Sequence, residues 1–199
     1  MYQWKGFDEN GANLYQKADG TLTPSPTSED LVIKGQASPK WTLGWNNTLT
    51  WKNWTLNLFF NAATGYNRLN ISRFTTASMS GVSRFITLRD AYFKGWDYVT
   101  NKAEALYPSI SNTDNKSYAD SDFWLEDASF IKLKNISLSY NIPRKVAKFA
   151  GIQLTVSAQD VLTITKYKGM DPEVYSSYDG LDYGAYPCLL YTSDAADEG

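Results

Sequence analysis

The sequence predicts an all-β fold, and within that class a partial transmembrane antiparallel β-barrel with long extracellular loops. Three observations support this: long segments of alternating apolar and polar residues, tryptophans at the ends of those segments, and no run of 18 apolar residues. Residues 41–51 and 54–62 alternate around a turn at Lys52 and Asn53. Because successive side chains of a strand point to opposite faces, each strand has one mainly apolar and one mainly polar face.

The length of the first strand favours a membrane barrel over a soluble sandwich. Its 11 residues, Trp41 to Trp51, cover roughly 25 Å at a tilt near 45°, which is the height of the apolar band of an outer-membrane barrel. Trp41, Trp51 and Trp54 fall where that band meets water, as in an aromatic girdle. The lipid-facing residues of this hairpin are therefore predicted to be Trp41, Leu43, Trp54, Leu56, Leu58 and Phe60.

Two further strands are predicted in the second half of the chain. In residues 130–143 the apolar residues change parity between Leu133 and Ile136, which indicates a bulge near Lys134 and Asn135 or a change of environment along the strand. Residues 151–163 alternate again, and Leu154 and Val156 lie on the face predicted to meet lipid. The opposite, polar face is predicted to line the lumen through Thr55, Asn57, Gln153, Thr155, Ser157 and Gln159.

Loop lengths orient these four strands. Outer-membrane barrels have short periplasmic turns and longer extracellular loops. The turn at 52–53 and the connector 143–150 are short and are expected in the periplasm, whereas residues 63–129 and 163–187 are expected outside the cell. Within them, residues 87–106 are expected to hold one or two short helices. Residues 4–26 predict a small hairpin, and residues 21–30 predict exposed coil.

The composition excludes several function classes. With 19 basic and 21 acidic residues, the net charge of −2 does not indicate nucleic acid as a partner. The absence of histidine removes Ser-His-Asp and Cys-His catalysis and every His-ligated metal site. Cys188 is the single cysteine, so there is no intramolecular disulfide. No enzymatic activity, cofactor or metal is predicted.

Five segments of the chain resemble the C-terminal part of the SusC/RagA family of TonB-dependent outer-membrane transporters. Together they cover about residues 31–187 in the order and spacing of the family. The most specific are FWLEDASFIKLKNISLSYNIP, residues 123–143, and LTITKYKGMDPEV, residues 162–174. Asp160 departs from the family, in which Asn is usual at this position.

The resemblance implies a fold and a function. The strands would be the C-terminal strands of a large barrel of 22 strands that encloses a plug. The protein would import glycans or peptides across the bacterial outer membrane. Its partners would be a SusD-like surface lipoprotein and, through an N-terminal part missing from these residues, TonB. The alternative is a soluble β-sandwich domain that binds carbohydrate through exposed aromatic side chains, with its apolar face buried against a second sheet.

Two groups of loop residues are candidates for ligand contact. Trp96, Tyr98 and Trp124 are possible contacts for substrate or for the lipoprotein lid, and packing within the loop is the alternative. The acidic side chains in residues 171–182 could ligate calcium, but their spacing is not that of an EF-hand and a solvated loop is the alternative.

The end of the chain lacks the pattern of alternating apolar and polar residues seen in the strands. Residues 1–187 are expected to be the C-terminal part of the barrel, whereas residues 188–199 are expected to be a non-native tail. The segment CLLYTSDAADEG has neither alternation nor a terminal aromatic residue, and it resembles the translation of a sequencing adaptor. A divergent tail is the alternative.

Overall fold

The computed structural model describes residues 1–77, 89–109, 118–143, 151–173 and 180–184. These residues are mostly β-structure with a few short helices. They divide into two compact units, which we call the sheet unit (residues 35–68 and 126–167) and the loop unit (residues 1–34, 69–125 and 168–199, as far as they are described). The strands are β1 (Gln3–Phe7), β2 (Asn13–Gln16), β3 (Leu22–Thr23), β4 (Trp41–Trp51), β5 (Trp54–Thr64), β6 (Asn67–Asn70), β7 (Leu125–Asp127), β8 (Phe130–Ile142), β9 (Ile152–Thr165) and β10 (Leu181–Asp182). The helices are α1 (Ile71–Ala77) and α2 (Arg89–Phe93), with 3₁₀ turns at Ser28–Asp30, Lys102–Glu104 and Asp122–Trp124.

The sheet unit contains an open, antiparallel, four-stranded sheet in the order β4-β5-β8-β9. The predicted hairpin is confirmed: β4 begins at Trp41 and ends at Trp51, and its register with β5 is unbroken from Trp41↔Thr64 to Trp51↔Trp54. Lys52 takes up a left-handed backbone conformation with φ 52°, as tight two-residue hairpin turns require.

The predicted bulge in β8 is also confirmed, and β9 contains a matching one. Phe59 pairs with Asn135 and Phe60 with Leu133, so Lys134 is an extra residue in β8. Opposite Lys134, β9 inserts Asp160 and Val161, and Asp160 has φ 47°. The Lys134 Nζ lies 3.6 Å from the Asp160 Oδ1. Both β8 and β9 carry extra residues at this point. The apolar side chains of each strand therefore lie on the same face of the sheet before and after the bulge.

The loop unit is built around a small sheet and an aromatic core. The expected hairpin is present as β1 and β2, with β3 added as a third antiparallel strand. The core contains the buried side chains of Phe74, Tyr107, Tyr118 and Trp124. The short helix α2 and the 3₁₀ turn Lys102–Glu104 agree with the helices expected in residues 87–106, of which residues 87–88 lie outside the described part.

Two features of the loop unit differ from the prediction. Residues 21–30 were expected to be exposed coil, but Leu22 and Thr23 form β3 and Asp30 is buried. The Asp30 carboxylate accepts hydrogen bonds from the backbone N–H groups of Ala18 and Thr27, which offsets the cost of burying its charge. Strands β10 and β6 pair in parallel, which the sequence did not indicate. No helix among the described residues is long and apolar enough to cross a membrane. The expected non-native tail, residues 188–199, lies outside the described residues.

Candidate functional site

One face of the four-stranded sheet is apolar on every strand. The register places apolar side chains of neighbouring strands in rows across this face: Leu49, Leu56, Leu138 and Val156 form one row, and Leu43, Ala62, Ile131 and Ile164 form another. Asn47 interrupts the face. Many of these side chains are exposed, from 42% for Trp54 to 75% for Trp41 and Val156. A soluble sheet buries such a face, so this one is arranged to meet an apolar medium or partner.

The opposite face of the same sheet is mainly polar. One register row across it consists of Thr48, Asn57, Ser137 and Ser157. The Thr48 hydroxyl donates a hydrogen bond of 2.7 Å to the Asn57 side-chain oxygen. Lys132 and Phe130 also belong to this face, and both are buried at one end of the sheet. The sheet therefore separates an apolar side from a polar side, as the wall of a water-filled barrel does.

Aromatic rings mark the end of the apolar face at the short turns. Trp51, Trp54 and Tyr140 occupy neighbouring register positions on three adjacent strands. The ring centroids of Trp54 and Tyr140 are 4.6 Å apart, and the Lys52 ammonium lies 4.9 Å from the Trp51 ring centroid. At the other end of β4, Trp41 is 75% exposed. Amphipathic rings with a nearby lysine are typical of the boundary between membrane and water.

All eight residues predicted to face lipid share this apolar face. They are Trp41, Leu43, Trp54, Leu56, Leu58, Phe60, Leu154 and Val156. The Phe60 ring stacks on Trp45 at 5.5 Å between centroids, so part of its surface is already covered. The shared face follows from the register; contact with lipid stays a prediction.

The three loop aromatics predicted as possible ligand contacts occupy different environments. Trp124 is fully buried and lies against Phe74 and Tyr118 at centroid distances of 5.7 Å and 5.2 Å. Trp124 therefore packs within the loop, as the alternative proposed, because its ring has no exposed surface that a ligand could contact. Trp96 is half-buried, with the Lys102 ammonium 5.4 Å from its ring centroid.

Tyr98 is 43% exposed and belongs to a surface pair of aromatic rings that the sequence did not indicate. Its ring centroid lies 4.2 Å from that of Tyr92, which is 47% exposed. Helix α2 supplies Tyr92, and its five residues are too few to show an amphipathic period. Two adjacent exposed rings are able to stack on a flat ligand or to pack against a protein surface.

Two grooves meet at the end of the sheet from which the long loops leave, and neither was predicted. The apolar groove is lined by Trp41, Leu43, Ala62, Ile131, Ile164 and Lys166, among others. The polar groove is lined by Gln36, Lys40, Tyr66 and Asn67, among others. Thr64, Asp127 and Ser129 line both grooves. No local sequence signal could have found them, since their walls come from strands that are distant in the chain.

Asp127 stands at the junction of the two grooves as an anion. Its Oδ1 accepts hydrogen bonds from the Ser129 hydroxyl at 2.6 Å and from the Ser129 backbone N–H at 2.9 Å. These bonds and the nearby charge of Lys166 lower the pKa of Asp127, against a smaller effect of burial. The carboxylate therefore stays charged at neutral pH.

The acidic loop shows no metal centre in its described part. Among the residues that the structure describes, no three His, Cys, Asp or Glu side chains are grouped to hold a metal ion. Asp171 and Asp182 instead accept hydrogen bonds from the backbone N–H groups of Glu173 and Gly184. Asp179, also considered as a calcium ligand, lies outside the described residues.

The chain is similar in sequence to curated TonB-dependent receptors. It is 31% identical over 194 residues to TonB-dependent receptor P3 of Formosa agariphila, covering 92% of the chain and 18% of the relative. It is 27% identical over 192 residues to TonB-dependent receptor SusC of Bacteroides thetaiotaomicron, covering 91% of the chain and 17% of that relative. The chain thus spans less than one fifth of the length of these relatives. No family model matches the sequence.

Solved structures share the fold. The RagAB peptide importer in its closed-closed state matches with a TM-score of 0.76 and 24% identity, over 94% of this chain and 21% of the other. The open-open state matches with a TM-score of 0.74, over 92% of this chain. At this level of identity the match concerns the fold, which is that of one part of a much longer chain.

Proposed function

The chain belongs to the SusC/RagA family of TonB-dependent receptors of the bacterial outer membrane, and from this premise we propose that it forms part of the barrel wall of a nutrient importer. The observation that carries the proposal is the four-stranded sheet with one exposed apolar face and one polar face. In this role the apolar face contacts lipid and the polar face lines the lumen.

The soluble sandwich is the weaker alternative because of the exposure of the apolar face. In a sandwich, a second sheet packs about 10 Å away and buries the inward side chains. Within the described residues of the sheet unit no second sheet covers this face, and Leu43, Leu154 and Val156 are 59% to 75% exposed. The relatives are receptors and importers, which also supports a transport role over an enzymatic one.

The orientation in the membrane follows from the turns. The hairpin turn at Lys52 and Asn53 is placed in the periplasm, beside the row formed by Trp51, Trp54 and Tyr140. Residues 63–129 and 163–187 are proposed to be extracellular, because they are the long connections and leave the strands at the ends opposite the short turns.

Cargo and partners are proposed from the relatives. We assign the receptor to the import of glycans or peptides, because one similar structure is a peptide importer. A SusD-like lipoprotein is proposed to cover the extracellular side, and TonB is proposed to supply energy through another part of the receptor. The exposed pair of Tyr92 and Tyr98 is the described loop surface best suited to contact cargo or lipoprotein.

A pair of spin labels tests the membrane-facing assignment in the full-length receptor. Val156 and Ser157 are neighbours on β9, are both exposed within this chain, and lie on opposite faces. A label at Val156 is expected to collide mainly with lipid-soluble oxygen, whereas a label at Ser157 is expected to collide mainly with a water-soluble nickel complex. Equal access of the nickel complex to both labels would contradict the barrel wall and favour the soluble alternative.

A further inference from the structure

The two grooves at the long-loop end of the sheet unit together form an amphipathic surface. Thr64, Asp127 and Ser129 line both of them, so the apolar groove continues directly into the polar one. A ligand that fills both must have an apolar part and a polar part in contact with each other.

The apolar groove exists because a small residue lies between larger ones. Ala62 pairs with Leu43 on one side and with Ile131 on the other. Leu43 is 64% and Ile131 is 53% exposed, so both project beyond the alanine and form the walls of a channel. A flexible hydrocarbon chain suits such a channel, since each buried methylene group contributes favourably.

The charges around the grooves favour an anionic head group. Lys40 lies on the polar groove and Lys166 on the apolar groove, against the single carboxylate of Asp127. Neither lysine forms an ion pair within 4 Å in the described part of the chain. Asp127 already accepts two hydrogen bonds from Ser129. The grooves therefore carry an excess of one positive charge.

The aliphatic stem of Lys40 lies against a glycine of the same chain. A Cβ atom built on Gly65 would lie 3.0 Å from the Lys40 Cβ and 3.1 Å from its Cδ, so the aliphatic stem of Lys40 lies directly over this glycine. Gly65 has φ 77°, a conformation that other residues rarely adopt. The glycine thus lets the lysine stem lie flat beside the polar groove.

We propose that these grooves bind one anionic membrane lipid, with an acyl chain along Ala62 and a phosphate-bearing head group between Lys40 and Lys166. The inference rests on the proposed function, because only an outer-membrane orientation puts the grooves at the level of lipid head groups. A lipid fits better than a free sugar, since a sugar has no hydrocarbon chain to fill the apolar groove.

Native mass spectrometry of the full-length, delipidated receptor tests this proposal with lipid A as the probe. Phosphatidylcholine serves as the neutral-lipid control and inorganic phosphate as the competitor. Lys40→Gln and Lys166→Gln are each expected to weaken lipid A binding about fivefold. Ala62→Phe blocks the channel and is expected to weaken binding roughly tenfold, as loss of about two methylene contacts would.

Matched controls separate this site from general lipid contact. Ala158→Phe makes the same change on the same apolar face outside the grooves, and Lys52→Gln removes a lysine at the opposite end of the sheet. Both are expected to change lipid A binding less than about twofold. Equal binding of phosphatidylcholine, or equal weakening by Ala158→Phe, would overturn the proposal. Full competition by inorganic phosphate would overturn it too, since the acyl chain would then contribute nothing.

Gel mobility with and without heating distinguishes failure of the lipid site from failure of the proposed function. A folded barrel migrates differently before and after boiling. If the receptor inserts in the outer membrane as a heat-modifiable barrel but shows no preference for lipid A, the lipid site alone is wrong. If it does not insert, the proposed function is wrong as well.

Discussion

Replacing Leu58 by arginine is the sharpest test of the apolar face as a membrane surface. Leu58 follows Trp54 by four positions and precedes Thr64, the end of β5, by six. At about 3.4 Å per residue and a tilt of about 40°, it lies roughly 10 Å from the end of β5 at the short turn and about 16 Å from the opposite end. This places Leu58 near the middle of an apolar band about 25 Å high.

The expected cost follows from that depth and from one neighbour. Arginine on the lipid face near the midplane costs about 2–4 kcal/mol of folding free energy. Leu58 pairs with Asn47, whose Oδ1 is buried and has no hydrogen-bond partner among the described residues. Because a guanidinium at position 58 can donate to this oxygen, we expect a cost near the lower bound, about 2 kcal/mol, or roughly a thirtyfold shift toward the unfolded state.

Ser137→Arg is the matched control. Ser137 pairs with Asn57, next to Leu58, and lies on the polar face. Urea unfolding of the full-length receptor in lipid vesicles, followed by heat-modifiable gel mobility, measures both variants. An equal loss of stability in Ser137→Arg and Leu58→Arg, or no loss in Leu58→Arg, would refute the apolar face as a membrane surface.

Three further predictions concern topology, backbone and pH. A cysteine introduced at Lys52 should resist a membrane-impermeant thiol reagent on intact cells, while one at Thr100 should react; labelling at position 52 would reverse the orientation. Asp160→Val should cost about 1–2 kcal/mol in urea unfolding because a branched residue resists φ 47°, whereas Asp160→Asn should be close to neutral. The lowered pKa of Asp127 stabilises the fold above the ordinary carboxyl value of 3.8, and this stabilisation is lost as the pH falls below it. Asp127→Asn should therefore make resistance to proteolysis less dependent on pH below about 4. An unchanged pH profile would contradict the stabilising effect of the Asp127 carboxylate.

The features that were predicted correctly depend on neighbours in sequence. The alternation from Trp41 to Trp51, the turn at Lys52 and the parity change in residues 130–143 are each visible in a short window. The period of two is imposed by the strand backbone itself, and a bulge is the simplest way to change parity without ending a strand. The same alternation assigned all eight predicted lipid-facing residues to one face, although it could not show what that face contacts.

The features that were missed depend on contacts between distant segments. The sequence did not distinguish the buried ring of Trp124 from the half-exposed ring of Tyr98, because both lie in a loop without periodicity. Burial there is decided by which other rings, such as Phe74 and Tyr118, reach the same place. The buried carboxylate of Asp30 is a similar case, since its donors come from Ala18 and Thr27.

By itself, then, the sequence determined the four long strands, their two faces and the resemblance to SusC/RagA receptors, because these are encoded in residue order along single segments. The tertiary structure alone decided that Leu43, Ala62 and Ile131 lie side by side and that Lys40 and Lys166 flank one surface. Strand pairing and register bring these residues together from positions up to 126 apart in the 199-residue chain. No local pattern specifies which strand pairs with which, because every alternating strand offers its neighbours the same backbone donors and acceptors.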